Sequence, residues 1–478
     1  MDLVAEKMDA KLFHTLFEKQ KKRSLKLREE SVKDRKAKLK KLEAWLMGHQ
    51  EDLQKAIYRD FQKPPFEVTS TELFPVIGEI KYAIEHLDEW AAPKKIDAPL
   101  TYIGTRTEIR YEPKGVCLII APWNYPFNLC IGPLVSCLAA GNTAILKPSE
   151  MTPSTSAFIK NMVSELFTDG EVAVVEGGAD ISVGLLSLPF DHIFFTGSPA
   201  IGKVVMKAAA ENLTSVTLEL GGKSPTIIDE TANLDDAAKR IAFGKFFNNG
   251  QTCIAPDYVL VHHTVKNKFI ELLKKQVNEQ FGGGKIVEEG ASDYARIVNG
   301  KHFQRIDQLI QDALQSGANL ELSGNVNLQA CFIPPTILSD VSLQSKIMEE
   351  EIFGPVLPIL SYDKQEEVIE MINSKPKPLG MYIFSNNKRF REKVITQTSA
   401  GAVCVNDCVL QFTHPHLPFG GVNNSGIGKA HGLYGFISFS NEKPVIRQKS
   451  GWANAYFFYP PYTNWKKKLI SVILKWFI

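Results

Sequence analysis

The chain has 478 residues, of which 44% are hydrophobic and 23% charged, an ordinary balance for a globular enzyme of two or three domains. Its formal net charge of +2 indicates neither nucleic acid nor an acidic partner. Seven cysteines without a pairing pattern favour a reducing, cytoplasmic setting, and the lack of C-x-x-C or Cys/His clusters argues against a metal site. No secretory signal is expected.

The first predicted element is a basic amphipathic helix. Lysines and arginines are dense from Lys19 to Lys41, and leucines recur at roughly helical intervals at positions 25, 27, 39, 42 and 46. We interpret this stretch as a helix with a solvated basic face, because apolar residues at that spacing fall on one side of a helix. Nucleic-acid binding is the alternative that the charge leaves open.

Between Gly115 and Ile228, short apolar runs alternate with longer helical patterns. We predict strands at 116–121, 143–147, 172–177, 192–197, 214–220 and 225–230, and helices at 129–140, 154–167 and 201–213. The alternation predicts an α/β fold with a parallel sheet covered on both faces, whose ligands bind beyond the carboxyl ends of the strands. A second α/β run follows, with helices near 234–246, 265–280, 301–316 and 365–373.

Two features follow predicted strands at their carboxyl ends. Asn124, in the stretch PWNYP, has an amide that can polarise a carbonyl oxygen, although an Asn among prolines is usually a turn former. Gly197 and Gly202 bracket a turn whose backbone amides can face a phosphate. A nucleotide triphosphatase loop competes because Lys203 follows, but that loop needs Ser or Thr at position 204, where this chain has Val. A plain turn without a ligand also stays open.

Two further residues are candidates for covalent chemistry. Glu219 ends an apolar strand just before two glycines, so we expect a raised pKa and a general base near neutral pH; a salt bridge to a lysine is the alternative. Cys253 follows Gly250, Gln251 and Thr252, a small polar stretch unlike the apolar surroundings of a structural cysteine. It is a candidate nucleophile, although loop cysteines are often accidental.

Seven motifs occur in an order that resembles the aldehyde dehydrogenase superfamily. They are PWNYP (122–126), KPSE (147–150), FTGSPAIG (195–202), LELGGKSP (218–225), GQTC (250–253), EIFGPV (351–356) and PFGG (418–421). The stretches GQTCIAPDY (250–258), NSKPKPLGMYIFS (373–385) and YPPYT (459–463) resemble its class 3 and fatty aldehyde dehydrogenase branch in particular. A chance match does not account for seven motifs in this order.

The resemblance implies NAD(P)-dependent oxidation of aldehydes, medium- or long-chain aliphatic or aromatic, to carboxylic acids. It implies that the thiolate of Cys253 attacks the carbonyl, and that the Asn124 amide and the Cys253 backbone N–H hold the oxyanion. Glu219 would activate the water that hydrolyses the thioester. Three other functions stay open: acyl transfer to coenzyme A, which Glu219 disfavours; nucleotide hydrolysis; and an inactive binding protein, which the three residues together disfavour.

The resemblance also implies a set of cofactor-binding residues. They are Trp123, Lys147, Glu150, Gly197, Ser198, Gly202, Glu351 and Phe353. Lys147 and Glu150 are expected at the adenosine ribose, and the glycine turn at the pyrophosphate. Glu351 is expected at the nicotinamide ribose, with Phe353 near the nicotinamide. An acid at position 150 repels a 2′-phosphate, so NAD is the expected cofactor; the neighbouring lysine keeps NADP open.

The implied architecture is a dinucleotide-binding domain (1–219), a catalytic domain (220–421), and a bridging segment with a carboxyl-terminal tail (422–478). A hairpin near 99–113 is expected to join a segment after PFGG in a small bridging sheet that supports a homodimer. Tyr125, Tyr258, Phe412 and Phe419 are candidates for the lining of an apolar substrate tunnel.

The tail ends in KKKLISVILKWFI (466–478), whose apolar part is too short to cross a bilayer. Three lysines followed by apolar side chains suit peripheral contact with a membrane surface, and in the fatty aldehyde branch a hydrophobic tail holds the enzyme on membranes. Packing of the tail on the body or on a partner subunit is the alternative.

Overall fold

The computed structural model describes residues 2–99, 102, 104–451 and 454–476. Part of the hairpin predicted near 99–113, and the last two residues of the tail, therefore lie outside the described residues. The chain begins with a layer of helices. These are α1 (Asp2–Leu27), α2 (Val32–Gly48), α3 (Gln50–Phe61), α4 (Pro65–Val68), a π-helical turn (Thr69–Leu73) and α5 (Phe74–Ala91).

The basic stretch predicted as one helix forms two. Helix α1 ends at Leu27 and α2 begins at Val32, because Ser31 starts a new helix with a capping box. The Ser31 hydroxyl accepts the backbone N–H of Asp34, and the Asp34 carboxylate accepts the backbone N–H of Ser31 at 3.0 Å. Leucine periodicity alone does not reveal this break, whereas the S-x-x-D spacing indicates it.

Most basic side chains of these helices are exposed, as predicted, but a few contact the body of the protein. Arg23 and Lys38 each form ion pairs with both Glu30 and Glu171. Arg35 is buried and donates to a backbone carbonyl at the end of a core helix. These side chains tie the helical layer to the body of the protein, and the charges of Arg23 and Lys38 are neutralised there.

Strands and helices then alternate along most of the chain. After β1 (Lys94–Ile96) and β2 (Thr105–Pro113), the first run comprises β3 (Val116–Ile120), α6 (Asn128–Ala140), β4 (Thr143–Lys147), α7 (Pro153–Leu166), β5 (Val172–Val174), α8 (Ala179–Leu186), β6 (His192–Gly197), α9 (Pro199–Ala210) and β7 (Ser215–Leu220).

The second run comprises β8 (Pro225–Ile228), α10 (Leu234–Phe246), β9 (Tyr258–His262), α11 (Lys266–Gly282), α12 (Gly300–Gln315), β10 (Asn319–Leu322), β11 (Thr336–Ser339), α13 (Lys346–Glu349), β12 (Val356–Tyr362), α14 (Gln365–Asn373), β13 (Gly380–Phe384), α15 (Lys388–Gln397), β14 (Ala402–Val405) and α16 (Leu410–Thr413). The last elements are β15 (Gly426–Ile427), α17 (Gly432–Ser438), β16 (Ser440–Gln448) and α18 (Asn464–Trp476).

The strands form three sheets, and the predicted α/β fold with parallel sheets is confirmed. The first parallel sheet has the order β15-β7-β6-β3-β4-β5, with only β15 antiparallel. The second has the order β10-β11-β12-β9-β8-β13-β14, with only β10 antiparallel. A small antiparallel sheet, β1-β2-β16, places the predicted strand TEIRYEP in its middle.

The first parallel sheet reverses its strand order at β3, since β4 and β5 lie on one side and β6 and β7 on the other. Open α/β sheets bind ligands beyond the carboxyl ends of the strands at such a reversal. Both faces of the sheet are covered: Ile119 and Leu146 pack toward α5 and α6, whereas Leu118 and Ile145 pack toward Phe17 of α1. Over the described ranges, no helix combines the length and the apolar character that a membrane span requires.

Candidate active site

Two cavities meet at Cys253. The first, called here the sheet-end cavity, has a volume of about 490 Å³ and lies beyond the carboxyl ends of β3 and β6. The second, called here the apolar cavity, has a volume of about 210 Å³ and lies between the PWNYP loop, the end of α10 and α16. Cys253 and Leu129 line both cavities. Two ligands, one in each cavity, would therefore approach the same sulfur from different sides.

The structure brings most of the predicted site residues together. Those that line the sheet-end cavity are Trp123, Asn124, Gly197, Ser198, Glu219, Cys253, Glu351 and Phe353. Lys147, Glu150 and Gly202 do not line it. Lys147 is the last residue of β4, which neighbours β3, and its ammonium pairs with Glu150 at 2.8 Å.

A turn with left-handed backbone carries Cys253 to the junction. Asn248, Asn249 and Gly250 have φ values of 51°, 55° and 70°. A Cβ on Gly250 would lie 2.3 Å from a backbone oxygen of the EIFGPV segment, so only glycine fits there. The buried side chain of Gln251 fixes the turn, because its amide donates to two backbone carbonyls at 3.1 and 2.9 Å and its oxygen accepts a backbone N–H at 3.0 Å.

Asn124 is held against this turn. Its side-chain nitrogen donates to the carbonyl of Gln251 at 3.0 Å, and its backbone carbonyl accepts the side-chain N–H of Asn248 at 2.9 Å. A primary amide has two N–H groups, so the second is available to a ligand in the sheet-end cavity. Together with the backbone N–H of Cys253, that group can stabilise an oxyanion on a carbon bonded to the sulfur.

A buried ionic network supports the cysteine loop from behind, and it was not predicted. The hydroxyl of Tyr125 lies 2.7 Å from the hydroxyl of Thr252, next to Cys253 in the chain. The ammonium of Lys63 lies 3.9 Å from the centre of the Tyr125 ring and pairs with Glu72 at 3.0 Å. Both members of this pair are fully buried. The amino-terminal helical layer therefore helps to position the loop that carries the thiol.

Glu219 lies near the end of β7 and is 4% exposed, with one carboxyl oxygen that has no hydrogen-bond partner. Burial raises its pKa to about 7, as its apolar neighbours in the sequence indicate. The charges of His431 and Lys429 act in the opposite direction, and that of Glu79 adds to the rise. A buried carboxyl with an unsatisfied oxygen and a pKa near neutrality is suited to accept a proton from water.

The electrostatic surroundings of Cys253 favour the thiol over the thiolate. Burial raises the pKa of the thiol, and the carboxyls of Glu351 and Glu219 raise it further. The backbone N–H groups of Cys253 and Ile254 partly oppose this effect. An ionised Glu219 carboxylate, which lines the same cavity, can accept the thiol proton as the sulfur attacks.

Glu351 occupies space that a glycine leaves free. A Cβ on Gly221 would lie 2.1 Å from a carboxylate oxygen of Glu351. Burial raises the pKa of Glu351 to about 8, and the charge of Asp257 adds to the rise; the N–H of Gly222 and the charges of Lys223 and Arg305 oppose it.

Aromatic rings border the sheet-end cavity on the side of Glu351. Phe353 has a φ of 48°, a left-handed conformation that is rare for a bulky residue and typical of functional sites. Its ring meets that of Trp123 edge-on at 5.3 Å, and Trp123 also contacts His302 at 5.0 Å. His302 and Arg305 line the same cavity, although the sequence analysis did not identify them.

Close packing between a helix and a strand, as well as access for a ligand, shapes the glycine turn after β6. The Ser198 hydroxyl caps α9 by accepting the N–H of Ile201. A Cβ on Gly202 would lie 2.7 Å from the Leu220 side chain, so this glycine allows α9 to pack closely on β7. The buried hydroxyl of Thr196, which also lines the cavity, has no hydrogen-bond partner. This unpaired group and the nearby helix amino terminus suit a phosphate-bearing ligand.

The residues that line the apolar cavity differ in part from those predicted to line the substrate tunnel. Tyr125 and Phe412 line it, together with Phe243 and Phe247, which were not predicted. Tyr258 and Phe419 do not line it, because Tyr258 is buried in β9 and the Phe419 ring packs 4.9 Å behind that of Phe412. In the part of the chain that the structure describes, no group of three or more His, Cys, Asp or Glu is placed to hold a metal ion.

A cysteine between a cavity suited to a phosphate-bearing ligand and an apolar cavity is the arrangement expected of an enzyme that brings two ligands to one sulfur. The aldehyde dehydrogenase family model matches residues 4–445, and the chain belongs to this family. It is 44% identical to the 4,4′-diaponeurosporen-aldehyde dehydrogenase of Staphylococcus aureus, over 92% of this chain and 94% of the relative. It is 41% identical to aldehyde dehydrogenase family 3 member A2 of Mus musculus, over 85% of this chain and 83% of the relative.

Solved structures agree with this assignment. The substrate-bound AldH of Staphylococcus aureus has a TM-score of 0.92 and 42% identity, over 96% of this chain and 99% of that structure. An aldehyde dehydrogenase from Bacillus cereus in complex with NAD⁺ has a TM-score of 0.80 and 30% identity, over 88% and 85%. A glyceraldehyde-3-phosphate dehydrogenase from Methanocaldococcus jannaschii in complex with NADP has a TM-score of 0.83 and 26% identity, over 92% and 95%.

Proposed function

We propose that this aldehyde dehydrogenase oxidises medium- or long-chain aliphatic or aromatic aldehydes to carboxylic acids through a thioester on Cys253, with NAD as its main cofactor. One observation carries the proposal: Cys253 lies where the sheet-end cavity and the apolar cavity meet, with Asn124 and Glu219 lining the first of them.

The protein's own groups account for each proton and charge. As the Cys253 sulfur bonds to the aldehyde carbon, a nearby carboxylate takes the thiol proton, and the Asn124 amide and the Cys253 N–H stabilise the oxyanion. A nicotinamide cofactor supplies the acceptor for the hydride that leaves this carbon. Glu219 then takes a proton from water as the water oxygen bonds to the thioester carbon. The carbon–sulfur bond breaks, the acid leaves, and Glu219 returns its proton to the sulfur, while the carboxyl that took the thiol proton releases that proton to solvent.

The sheet-end cavity suits a dinucleotide. Ser198 and the amino terminus of α9 can face a pyrophosphate, and Glu351 can accept hydrogen bonds from a ribose. The pairing of Glu150 with Lys147 supports NAD as the main cofactor, because the acid repels a 2′-phosphate, while the adjacent lysine leaves NADP usable. The solved relatives in complex with NAD⁺ and with NADP support both.

The apolar cavity supports an uncharged, apolar substrate. Among the residues that the structure describes, none of those lining it is Lys, Arg, Asp or Glu. At its outer end Phe243 is 50% and Leu410 is 54% exposed, so a long chain can extend toward solvent. A charged aldehyde would lose its hydration there without a compensating partner.

Reduced cofactor formation across an aldehyde series tests the proposal. The series runs from acetaldehyde to dodecanal, with benzaldehyde and a carboxylated aldehyde of similar length, and each substrate is measured with NAD⁺ and NADP⁺. We expect kcat/KM to rise with chain length by about tenfold for every two methylenes buried. Equal kcat/KM for acetaldehyde and dodecanal, or a preference for the carboxylated aldehyde, would contradict the substrate class.

We also propose a dinucleotide-binding domain at 1–219, a catalytic domain at 220–421 and a bridging segment with the tail at 422–478. The passage of the chain from the first parallel sheet to the second between Leu220 and Pro225 supports the first boundary. A cytoplasmic homodimer is proposed as well. It is supported by the seven free cysteines and by β16, which lies at the edge of the small antiparallel sheet in the described ranges. Sedimentation velocity tests the dimer.

Contact between the tail and a membrane surface is a further part of the proposal. Helix α18 exposes Trp465, Val472 and Leu474, which are 54%, 50% and 62% exposed, and Lys466 to Lys468 stand at its start. Apolar and basic groups together favour an anionic lipid surface. In liposome flotation, the full chain should float with anionic vesicles and lose this binding in high salt, whereas a chain ending at Trp465 should not float. Equal behaviour of the two chains would contradict the proposal.

A further inference from the structure

A histidine and a glutamate from distant parts of the chain form a partly buried pair near Glu219. The ring Nδ1 of His431 lies 2.9 Å from one carboxylate oxygen of Glu79, in α5. The other oxygen of Glu79 accepts the backbone N–H of Gly432 at 3.0 Å. The rings of Phe412 and Phe419 hold the imidazole, with centroids at 4.8 and 5.3 Å. Nothing in the mechanism above uses this Glu79–His431 pair.

The pair shares a small chamber with Glu219. Glu79, His431 and Glu219 line a cavity of about 20 Å³, which borders the apolar cavity at Leu129 and Phe412. A space of this size admits no more than about one water molecule. This volume is far smaller than an aldehyde or a cofactor, so we infer that the pair acts on Glu219 rather than on the substrate.

Charged groups of both signs act within and around the chamber. Burial alone would lower the pKa of His431, but the hydrogen bond to Glu79 and the charges of Glu79 and Glu219 outweigh burial and raise it. The hydrogen bond and these charges therefore favour the protonated imidazole. The second cation that acts on Glu219 is Lys429, whose ammonium is held by the carbonyls of Gly420 and Gly421.

Two other titratable groups face this region. Cys253 interacts with Glu219 from the side of the sheet-end cavity. Tyr82 lies one helical turn from Glu79 in α5 and contacts the backbone at Gly432, but its hydroxyl pairs with His416 at 2.7 Å. Neither group supplies a positive charge, so His431 and Lys429 are the cations that favour the ionised form of Glu219.

We propose that the imidazolium of His431, held in place by Glu79, favours the ionised form of Glu219 and thereby supports thioester hydrolysis near neutral pH. The inference rests on the proposed role of Glu219 as the base. His431 and Glu79 are positioning residues, because they touch neither substrate nor cofactor.

The test is the pH dependence of steady-state turnover, with the pre-steady-state burst of NADH measured beside it. In His431→Asn the cation is lost while the Glu79 carboxylate remains. Asn suits this position because His431 has a φ of 71°, which Asn adopts more readily than most residues. We expect the acidic limb to move up by about one pH unit or more, which lowers turnover at pH 6 about tenfold. The burst should persist, since acylation and hydride transfer precede hydrolysis.

The double variant His431→Asn/Glu79→Gln separates charge from packing. Removal of the leftover negative charge should move the acidic limb part of the way back toward the wild-type position. If His431→Asn gives no burst, Glu79→Gln alone carries the test: its imidazole loses the partner that holds the proton, so the limb should move up by less than one unit.

Three results would overturn the inference or its foundation. An acidic limb at the wild-type pH in His431→Asn and in Glu79→Gln would show that the pair does not control Glu219. The same displacement in the single and double variants would assign the effect to packing. Undiminished turnover in Glu219→Gln would instead refute the proposed base, and with it the premise of the inference.

Discussion

Gly221→Ala should disable the enzyme by moving one buried carboxylate. The new Cβ would lie 2.1 Å from Oε2, 2.5 Å from Oε1 and 2.6 Å from Cδ of Glu351. Ordinary contact begins at 3.4 Å, so the nearest oxygen must retreat by about 1.3 Å (3.4 − 2.1). A displacement of this size at a group that positions a ligand typically costs about 10²-fold in rate.

The assay is kcat/KM for NAD⁺ at saturating aldehyde, with thermal unfolding as a check on folding. We expect kcat/KM to fall about 100-fold. The melting temperature should change by no more than about 4 °C, because the clashing atoms are the end of a flexible side chain. Gly48→Ala is the matched control: it lies at the end of α2 with no atom within 4 Å of a new Cβ, and its kinetics should equal wild type. A Gly221→Ala enzyme with wild-type kcat/KM would refute the assignment of Glu351 to the cofactor.

Three further predictions follow from the site. Cys253→Ser should form no NADH from any aldehyde while still binding NAD⁺, as measured by quenching of tryptophan fluorescence. Turnover near the wild-type rate would show that another residue is the nucleophile. Because the pKa of Glu219 is about 7, the ionised base should fall from about 90% at pH 8 to about 10% at pH 6, and steady-state turnover should follow it while the burst does not. Glu150→Gln should raise the ratio of kcat/KM for NADP⁺ to that for NAD⁺ about tenfold, since the acid no longer repels a 2′-phosphate. An unchanged ratio would show that Glu150 does not determine the choice of cofactor.

The regular elements were largely predictable because their signals are local. The apolar run TAILK and the run HIFFTG gave strands with the observed bounds, Thr143–Lys147 and His192–Gly197, and the helix Leu234–Phe246 also has the predicted bounds. Each of these segments is buried on its sheet or helix face in the way its own pattern indicates. The break at Ser31 was missed because a capping box is a signal of hydrogen bonding rather than of hydrophobic period.

Site residues were predictable only where the residue types of a motif themselves indicate a reaction. Cys253 and Glu219 stand in short polar or glycine-rich contexts that single them out in the sequence. Tyr258 and Phe419 were wrongly assigned to the tunnel, because an aromatic side chain near a motif gives no information about the direction in which it points. The Glu79–His431 contact joins residues on opposite ends of the chain, and nothing local in either segment indicates the other.

The most direct test of the covalent mechanism is the mass of Glu219→Gln after mixing with dodecanal and NAD⁺. This variant keeps the thiol and the oxyanion donors but lacks the base for water, so it should release about one NADH per active site and then stop. Intact-mass measurement should find one dodecanoyl group, and peptide mapping should place it on Cys253. Steady turnover without an acyl adduct, or an adduct on another cysteine, would contradict the account.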